Sequence, residues 1–304
     1  MRAFVFPGQG SQSPGMGKDL CERFLSARHV FEEADAALSF PLSKLCFDGP
    51  ADELALTEHT QPAVLTVSIA VLRVLEERGQ RADIVAGHSL GEYSAVVCAG
   101  GLSFADAVRI VRERGRFMQE AVPVGEGSMA AVLGLDEEAV SRICADTAGS
   151  EVVAPANLNA PGQTVIAGHV AAVERASHLA RQRGAQHVLR LPVSAPFHCA
   201  LMKPARERLA ALLEGVEFRD LRIPLVNNVE AVAVTDASEV RENLIRQVTS
   251  AVRWSESVRE LVRLGVEAVV EVGPGRVLAG LIRRIDPSIP IQSMGTPAQV
   301  EKYV

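Results

Sequence analysis

Residues 87–91 read Gly-His-Ser-Leu-Gly, a G-x-S-x-G pentapeptide. That spacing suits a serine nucleophile on a sharp turn from a strand into a helix. Glycine is needed on either side because a Cβ would collide with neighbouring backbone. The helix that follows aims free N–H groups and its positive dipole end at the hydroxyl, where an oxyanion would form. A bare helix N-cap would also accept a serine here. The context favours the nucleophile: a short apolar run, Asp83–Gly87, precedes Ser89, and a helical pattern from Leu90 to about Ala99 follows it. A serine nucleophile needs a base, and histidines stand at 29, 59, 88, 169, 178, 187 and 198. His29 and His178 fall in helical patterns with surface character. The side chain of His88 should point away from the hydroxyl of the next residue. His198 lies in Ser194-Ala195-Pro196-Phe197-His198-Cys199, a loop past a strand end, and strand ends are where α/β folds gather their chemistry. The residues alone leave the choice of base open.

The positioning elements read as alternating strands and helices. A first strand, Arg2–Phe6, ends in Pro7-Gly8-Gln9-Gly10. Helical patterns follow over Lys18–Ala37 and, after a loop rich in Pro and Gly, over Gln61–Arg78. Another starts at Ser103, a candidate N-cap, and runs to about Ala121. The next stretch predicts strand Ser128–Leu133, helix Asp136–Ala148, strands Glu151–Asn157 and Gln163–Ala167, helix Val170–Arg183 and strand His187–Val193. This β-α-β-β-α-β order is the split βαβ of ferredoxin-like modules. Residues 125–192 are therefore expected to form a small subdomain inserted into a larger α/β one made of 1–124 and 193–304. Beyond it, Pro224–Val229 and Ala268–Val272 read as strands, and Ser238–Val248, Ser255–Leu264 and Val277–Ile285 as helices.

Composition narrows the function classes. Of 304 residues, 48% are hydrophobic, ample for a large core, and aromatics at 4% make that core aliphatic. A net charge of −6 argues against a nucleic-acid partner. The five cysteines show neither C-x-x-C pairing nor zinc spacing, as expected of reduced thiols in the cytoplasm. No segment reaches the ~20 apolar residues of a membrane span, and the N-terminus lacks the longer apolar stretch of a signal peptide. The expectation is a soluble, cytoplasmic monomer with no membrane association.

Six segments occur in a telling order: FPGQGSQ (6–12), GHSLGEYSA (87–95), RGRFMQ (114–119), NLNAPGQTVIAG (157–168), PFHCALM (196–202) and EVGPG (271–275). Together they resemble the malonyl-CoA:acyl carrier protein transacylases of bacterial fatty-acid synthesis and the related acyltransferase domains of polyketide synthases. The resemblance implies an α/β-hydrolase-like core with a mostly parallel sheet and an inserted ferredoxin-like subdomain. It implies a dyad of Ser89 and His198, with the backbone N–H groups of Leu90 and Gln9 as oxyanion donors and the backbone carbonyl of Gln247 orienting the histidine. Arg114 becomes the clamp for the malonyl carboxylate, a planar two-pronged donor matched to two oxygens. By pattern alone, Arg114 is one of several arginines on a solvated helix face, with Arg109, Arg112 and Arg116. Met118 and Phe197 join the substrate site, a ring at 197 filling room that an α-methyl group would need. No cofactor is implied. The partners are malonyl-CoA and the phosphopantetheine thiol of an acyl carrier protein, for which Arg181, Arg183, Arg190, Lys203, Arg206, Arg283 and Arg284 are candidate docking charges. Competing classes are a serine thioesterase or esterase, a discrete polyketide acyltransferase and a non-catalytic carrier-binding module.

Overall fold

The computed structural model describes residues 1–193 and 195–303; Ser194, part of the predicted histidine loop, lies outside the described residues. The strands are β1 (Arg2–Phe6), β2 (Ile84–Gly87), β3 (Gly127–Leu133), β4 (Val153–Ala160), β5 (Gln163–His169), β6 (His187–Arg190), β7 (Leu225–Val226), β8 (Ala233–Val234), β9 (Ala268–Val272) and β10 (Ile291–Met294). The helices are α1 (Lys18–Arg23), α2 (Leu25–Leu38), α3 (Leu42–Asp48), α4 (Ala51–Leu54), α5 (Thr57–Glu77), α6 (Gly91–Ala99), α7 (Phe104–Glu120), α8 (Glu137–Ala148), α9 (Val170–Gln182), α10 (Lys203–Glu214), α11 (Ala237–Gln247), α12 (Trp254–Arg263), α13 (Val277–Ile285) and α14 (Pro297–Tyr303).

A six-stranded sheet runs in the order β10-β9-β1-β2-β7-β8, parallel except for the β7–β8 hairpin. Its inner strands β1, β2 and β7 are near-continuous apolar runs because helices cover both faces. On one face α5, α6 and α7 bury Leu65, Ile69, Leu72, Val96 and Val111. On the other, α12 and α13 bury Trp254, Val258, Leu278 and Ile282. A four-stranded antiparallel sheet, β4-β5-β3-β6, carries α8 and α9 on a third apolar cluster. That order is the ferredoxin-like arrangement expected from β-α-β-β-α-β. The α/β class with a mostly parallel main sheet and a split-βαβ insertion thus agrees with the sequence reading.

Several local expectations need correction. The helix predicted over Lys18–Ala37 breaks at Phe24, whose extended backbone (φ −127°) caps α1 and starts α2. The supposed loop before α5 folds into the short helices α3 and α4, and α5 itself begins at Thr57, carrying Pro62 inside it. The strand expected over Pro224–Val229 pairs only through Leu225–Val226, because Asn227 and Asn228 turn their polar groups to other partners. β10 and α14, which lack strong periodicity, complete the chain beyond the predicted elements.

Candidate active site

β1 and β2 lie side by side in parallel, with Phe6 opposite Gly87, so the turns after both open at the same edge of the sheet. The turn after β2 holds Ser89 at φ +52°, left-handed backbone that a non-glycine residue adopts at a cost of ~1–3 kcal/mol. The flanking glycines permit it: a Cβ on Gly87 would run into the backbone of Gly91, and one on Gly91 into the Phe6 carbonyl. Asn228 secures the turn from below. Its Oδ1 accepts the Ser89 N–H at 2.7 Å, and its Nδ2 donates to the Gly87 carbonyl at 2.6 Å.

Ser89 Oγ and His198 Nε2 stand 2.7 Å apart. His198 also has left-handed backbone, φ +60°, in the loop leading to α10. Its Nδ1 lies 2.9 Å from the Gln247 carbonyl, at the C-terminal end of α11. A carbonyl only accepts, so Nδ1 carries the proton and Nε2 faces the serine as an acceptor. Burial, reinforced by the charge of Arg114, pushes His198 down to about 3, so the ring is neutral at neutral pH. The negative end of the α11 dipole lies where a transient imidazolium would form.

Arg114, on α7, is 1% exposed, which overturns the reading of a solvated face. Arg109 and Arg116 are the exposed members of that group. Gly115 lets α7 approach α5 closely, since a Cβ there would strike the backbone of Thr57. Across that contact Arg114 Nη1 donates to Gln61 Oε1 at 2.6 Å. Nη2 donates to Gln247 Oε1 at 2.8 Å and to Ser89 Oγ at 3.3 Å, and Cζ sits 5.5 Å from the centroid of the Tyr93 ring. Nε has no hydrogen-bond partner, and among the described residues no carboxylate forms an ion pair with this guanidinium.

Gln9, Leu90, Met118 and Phe197 line the same cleft with Ser89, Arg114 and His198. The N–H groups of Gln9 and Leu90 have no acceptor among the described residues. Gln61, His88, Met129, Asn157, Leu191 and Val193 complete the lining. The cleft holds a cavity of about 120 Å³ that opens to solvent. That suits a short acyl group and the end of a thioester arm, and is smaller than a drug-sized ligand site. Gln247 belongs to the site through its side chain as well as its carbonyl: Nε2 donates to the Ser89 carbonyl at 3.0 Å and to Glu92 Oε2 at 2.7 Å. His88 turns away, its Nε2 2.8 Å from Asn159 Oδ1. Cys199 is buried, with its thiol pushed up to about 11, a poor rival nucleophile. All five cysteines are free. Among the described residues no group of His, Cys, Asp and Glu could hold a metal, and no helix is long and apolar enough to cross a membrane. Of the candidate docking charges, Arg183 pairs with Asp146, Lys203 with Glu207, and Arg284 donates to Gln163 and the Pro161 carbonyl.

Residues 3–290 match the acyl transferase domain family. This chain belongs to that family. It is 50% identical to a malonyl CoA-acyl carrier protein transacylase of Salmonella typhimurium, over 97% of this chain and 96% of the relative. The crystal structure of an acyl carrier protein S-malonyltransferase from Vibrio cholerae superposes with a TM-score of 0.98 at 47% identity, covering 100% of this chain and 99% of the other. A malonyl-transacylase solved in complex with its type II polyketide acyl-carrier protein gives a TM-score of 0.97 at 46% identity, covering 99% and 98%.

Ser89, His198 and Arg114 were candidates from the sequence. Asn228, Glu92 and Gln61 were not. Asn228 falls at the end of a predicted strand, a position that in an α/β sheet is itself a signal. Glu92 stands inside the GHSLGEYSA segment with no role attached to it, and Gln61 sits in a helical run with nothing in its spacing to mark it.

Proposed function

We propose that this protein transfers a malonyl group from malonyl-CoA to the phosphopantetheine thiol of an acyl carrier protein, through an ester on Ser89. The observation that carries the reading is the convergence of three groups from distant parts of the chain: Ser89 Oγ lies 2.7 Å from His198 Nε2 and 3.3 Å from Arg114 Nη2. A neutral fatty chain gives a buried guanidinium nothing to bind. A free carboxylate beside a thioester does, and this favours malonyl transfer over a thioesterase reading.

In the mechanism, His198 Nε2 takes the Ser89 proton as Oγ attacks the thioester carbonyl. Arg114, beside Oγ, forks onto the malonyl carboxylate and fixes the acyl group. The N–H groups of Leu90 and Gln9 hold the oxyanion, each worth ~3 kcal/mol. His198 returns the proton to the departing thiolate of coenzyme A. It then serves again when the carrier thiol attacks the ester, a ping-pong cycle. Met118 and Phe197 shape the acyl pocket, and the Gln247 carbonyl holds the imidazole tautomer throughout. Residues 125–192 act as the inserted subdomain that closes the cleft from above with Met129, Asn157 and Leu191. The chain acts as a cytoplasmic monomer and needs no cofactor of its own.

Likeness to a polyketide carrier's malonyl-transacylase at 46% identity favours a second reading, in which the same chemistry supplies a polyketide carrier. Incubation with malonyl-, methylmalonyl- and acetyl-CoA, with and without each carrier, tests the proposal. Malonyl-carrier is the expected main product; free malonate as the main product, whatever carrier is present, would favour a hydrolase.

A further inference from the structure

Behind the guanidinium sits a carboxyl that the proposed chemistry does not use. Glu92, in the first turn of α6, is fully buried. Its Oε2 accepts from Gln247 Nε2 at 2.7 Å and from the Asn228 N–H at 3.2 Å, while Oε1 has no partner. The other end of the same Gln247 amide, Oε1, accepts from Arg114 Nη2 at 2.8 Å. One neutral side chain therefore bridges the acid and the guanidinium.

A buried cation without a counter-charge is costly. Glu92 supplies that charge at one remove, across Gln247. A substrate carboxylate on Arg114 would bring a second negative charge into the same poorly solvated region. Two carboxylates that close to one guanidinium repel, and the less solvated one tends to take a proton. The titratable and charged groups bearing on Glu92 are Arg114 from α7 and Tyr93 on its own helix. Its hydrogen-bond donors from α11 and the loop after β7 are uncharged, and His198, tied to Gln247 O, is neutral. Burial pushes Glu92 up to about 7, against the pull of Gln247, Asn228 and Arg114, so a proton is readily gained near neutrality.

Resting on the reading of Arg114 as the carboxylate clamp, we propose that Glu92 is a positioning residue for carboxylate substrates. It balances Arg114 before substrate binds, and takes a proton from solvent onto Oε1 when the substrate carboxylate replaces it as counter-charge. Discharge of the acyl group to the carrier releases that proton. Glu92 acts through Gln247 and touches no reacting atom.

The test is the ratio of kcat/KM for malonyl-CoA to that for acetyl-CoA, followed from about pH 6 to about pH 8.5, a ratio in which the titration of His198 cancels. Ionised Glu92 opposes the second carboxylate, so in the wild type the ratio falls as pH rises, by roughly tenfold for a shift of about one pKa unit on acylation. Glu92→Gln mimics the protonated acid, and its ratio stays flat at the wild type's low-pH level. The same slope in Glu92→Gln as in wild type overturns the proposal. A purely structural role predicts equal losses with both thioesters and an unmoved ratio, which also overturns it. Calorimetry of the wild type at pH 7, in two buffers of different ionisation enthalpy, gives a readout independent of any variant. Proton uptake with malonyl-CoA in excess of that with acetyl-CoA supports the proposal; equal uptake refutes it. Arg114→Ala separates the two layers. A malonyl preference that survives this change sinks the clamp; one that collapses while Glu92→Gln keeps the wild-type slope sinks only the Glu92 proposal.

Discussion

The floor and the roof of the cleft are built on opposite plans. The floor, at the edge of the parallel sheet, is a buried polar lattice. Ser89, Asn228, Gln247, Glu92, Arg114 and Gln61 are joined by hydrogen bonds of 2.6–3.3 Å, and Gln247 alone reaches the turn, the acid and the guanidinium while its carbonyl holds His198. The roof, contributed by the small sheet and the chain leaving it, is mostly apolar: Met129, Leu191 and Val193, with Asn157 as its polar member. A lattice of this kind fixes atoms to within a few tenths of an ångström and tolerates few changes. An apolar cover keeps water from an ester that must wait for a thiol, and it tolerates many. Substitutions in the floor should therefore change the chemistry, and substitutions in the roof the fate of the intermediate.

The largest expected effect lies at the centre of the floor. Ser89→Ala should cut malonyl transfer by roughly ten-thousandfold or more in a steady-state assay, since the nucleophile has no substitute nearby. Retention of a tenth of the activity would place the nucleophile elsewhere. Arg114→Ala should lower kcat/KM for malonyl-CoA by ~10²-fold or more while sparing or improving that for acetyl-CoA; equal losses for the two thioesters would remove the clamp. Asn228→Ala, which leaves the Ser89 N–H and the Gly87 carbonyl without their side-chain partner, should cost ~1–3 kcal/mol in chemical denaturation and slow both thioesters alike. An unchanged denaturation midpoint would mean the turn holds itself.

The pH behaviour distinguishes the floor from an ordinary exposed dyad. His198 is depressed to about 3 in the folded protein, so acylation by acetyl-CoA should stay flat from about pH 8 to about pH 5. An exposed histidine would lose its base form below ~6.5. The same shift sets the sign for stability. Between its unfolded and folded values the unfolded chain binds the extra proton, so the contribution of His198 to stability is lost as pH falls from ~6.5 towards 3. An acetylation rate that halves near pH 6.5 would contradict the neutral, buried ring. The smallest effect belongs to the roof: Leu191→Ser should leave transfer nearly unchanged and raise release of free malonate by a few fold, measured without carrier protein. No rise in malonate would show that water is excluded from below.

The floor was also the more legible half in sequence. A Gly-x-Ser-x-Gly turn between an apolar strand and a helix carries its own physical reason, and the order of the elements gave the parallel sheet and the split-βαβ insertion. The burial of Arg114 was not legible from periodicity, because α7 interleaves it with exposed Arg109 and Arg116 and only Gly115 betrays the close helix contact. The short helices α3 and α4 were hidden by Pro and Gly, which permit a turn of helix as readily as a loop. Glu92 and Asn228 act through partners more than a hundred residues away along the chain, pairings that no local pattern encodes.

The most direct measurement is peptide mapping of the protein quenched after mixing with malonyl-CoA in the absence of carrier. Ser89, His198 and Arg114 acting on one substrate predict a single malonyl ester, confined to the peptide that contains Ser89 and discharged when phosphopantetheinylated carrier protein is added. A malonyl group on any other residue, or an ester on Ser89 that the carrier thiol fails to discharge, would contradict it.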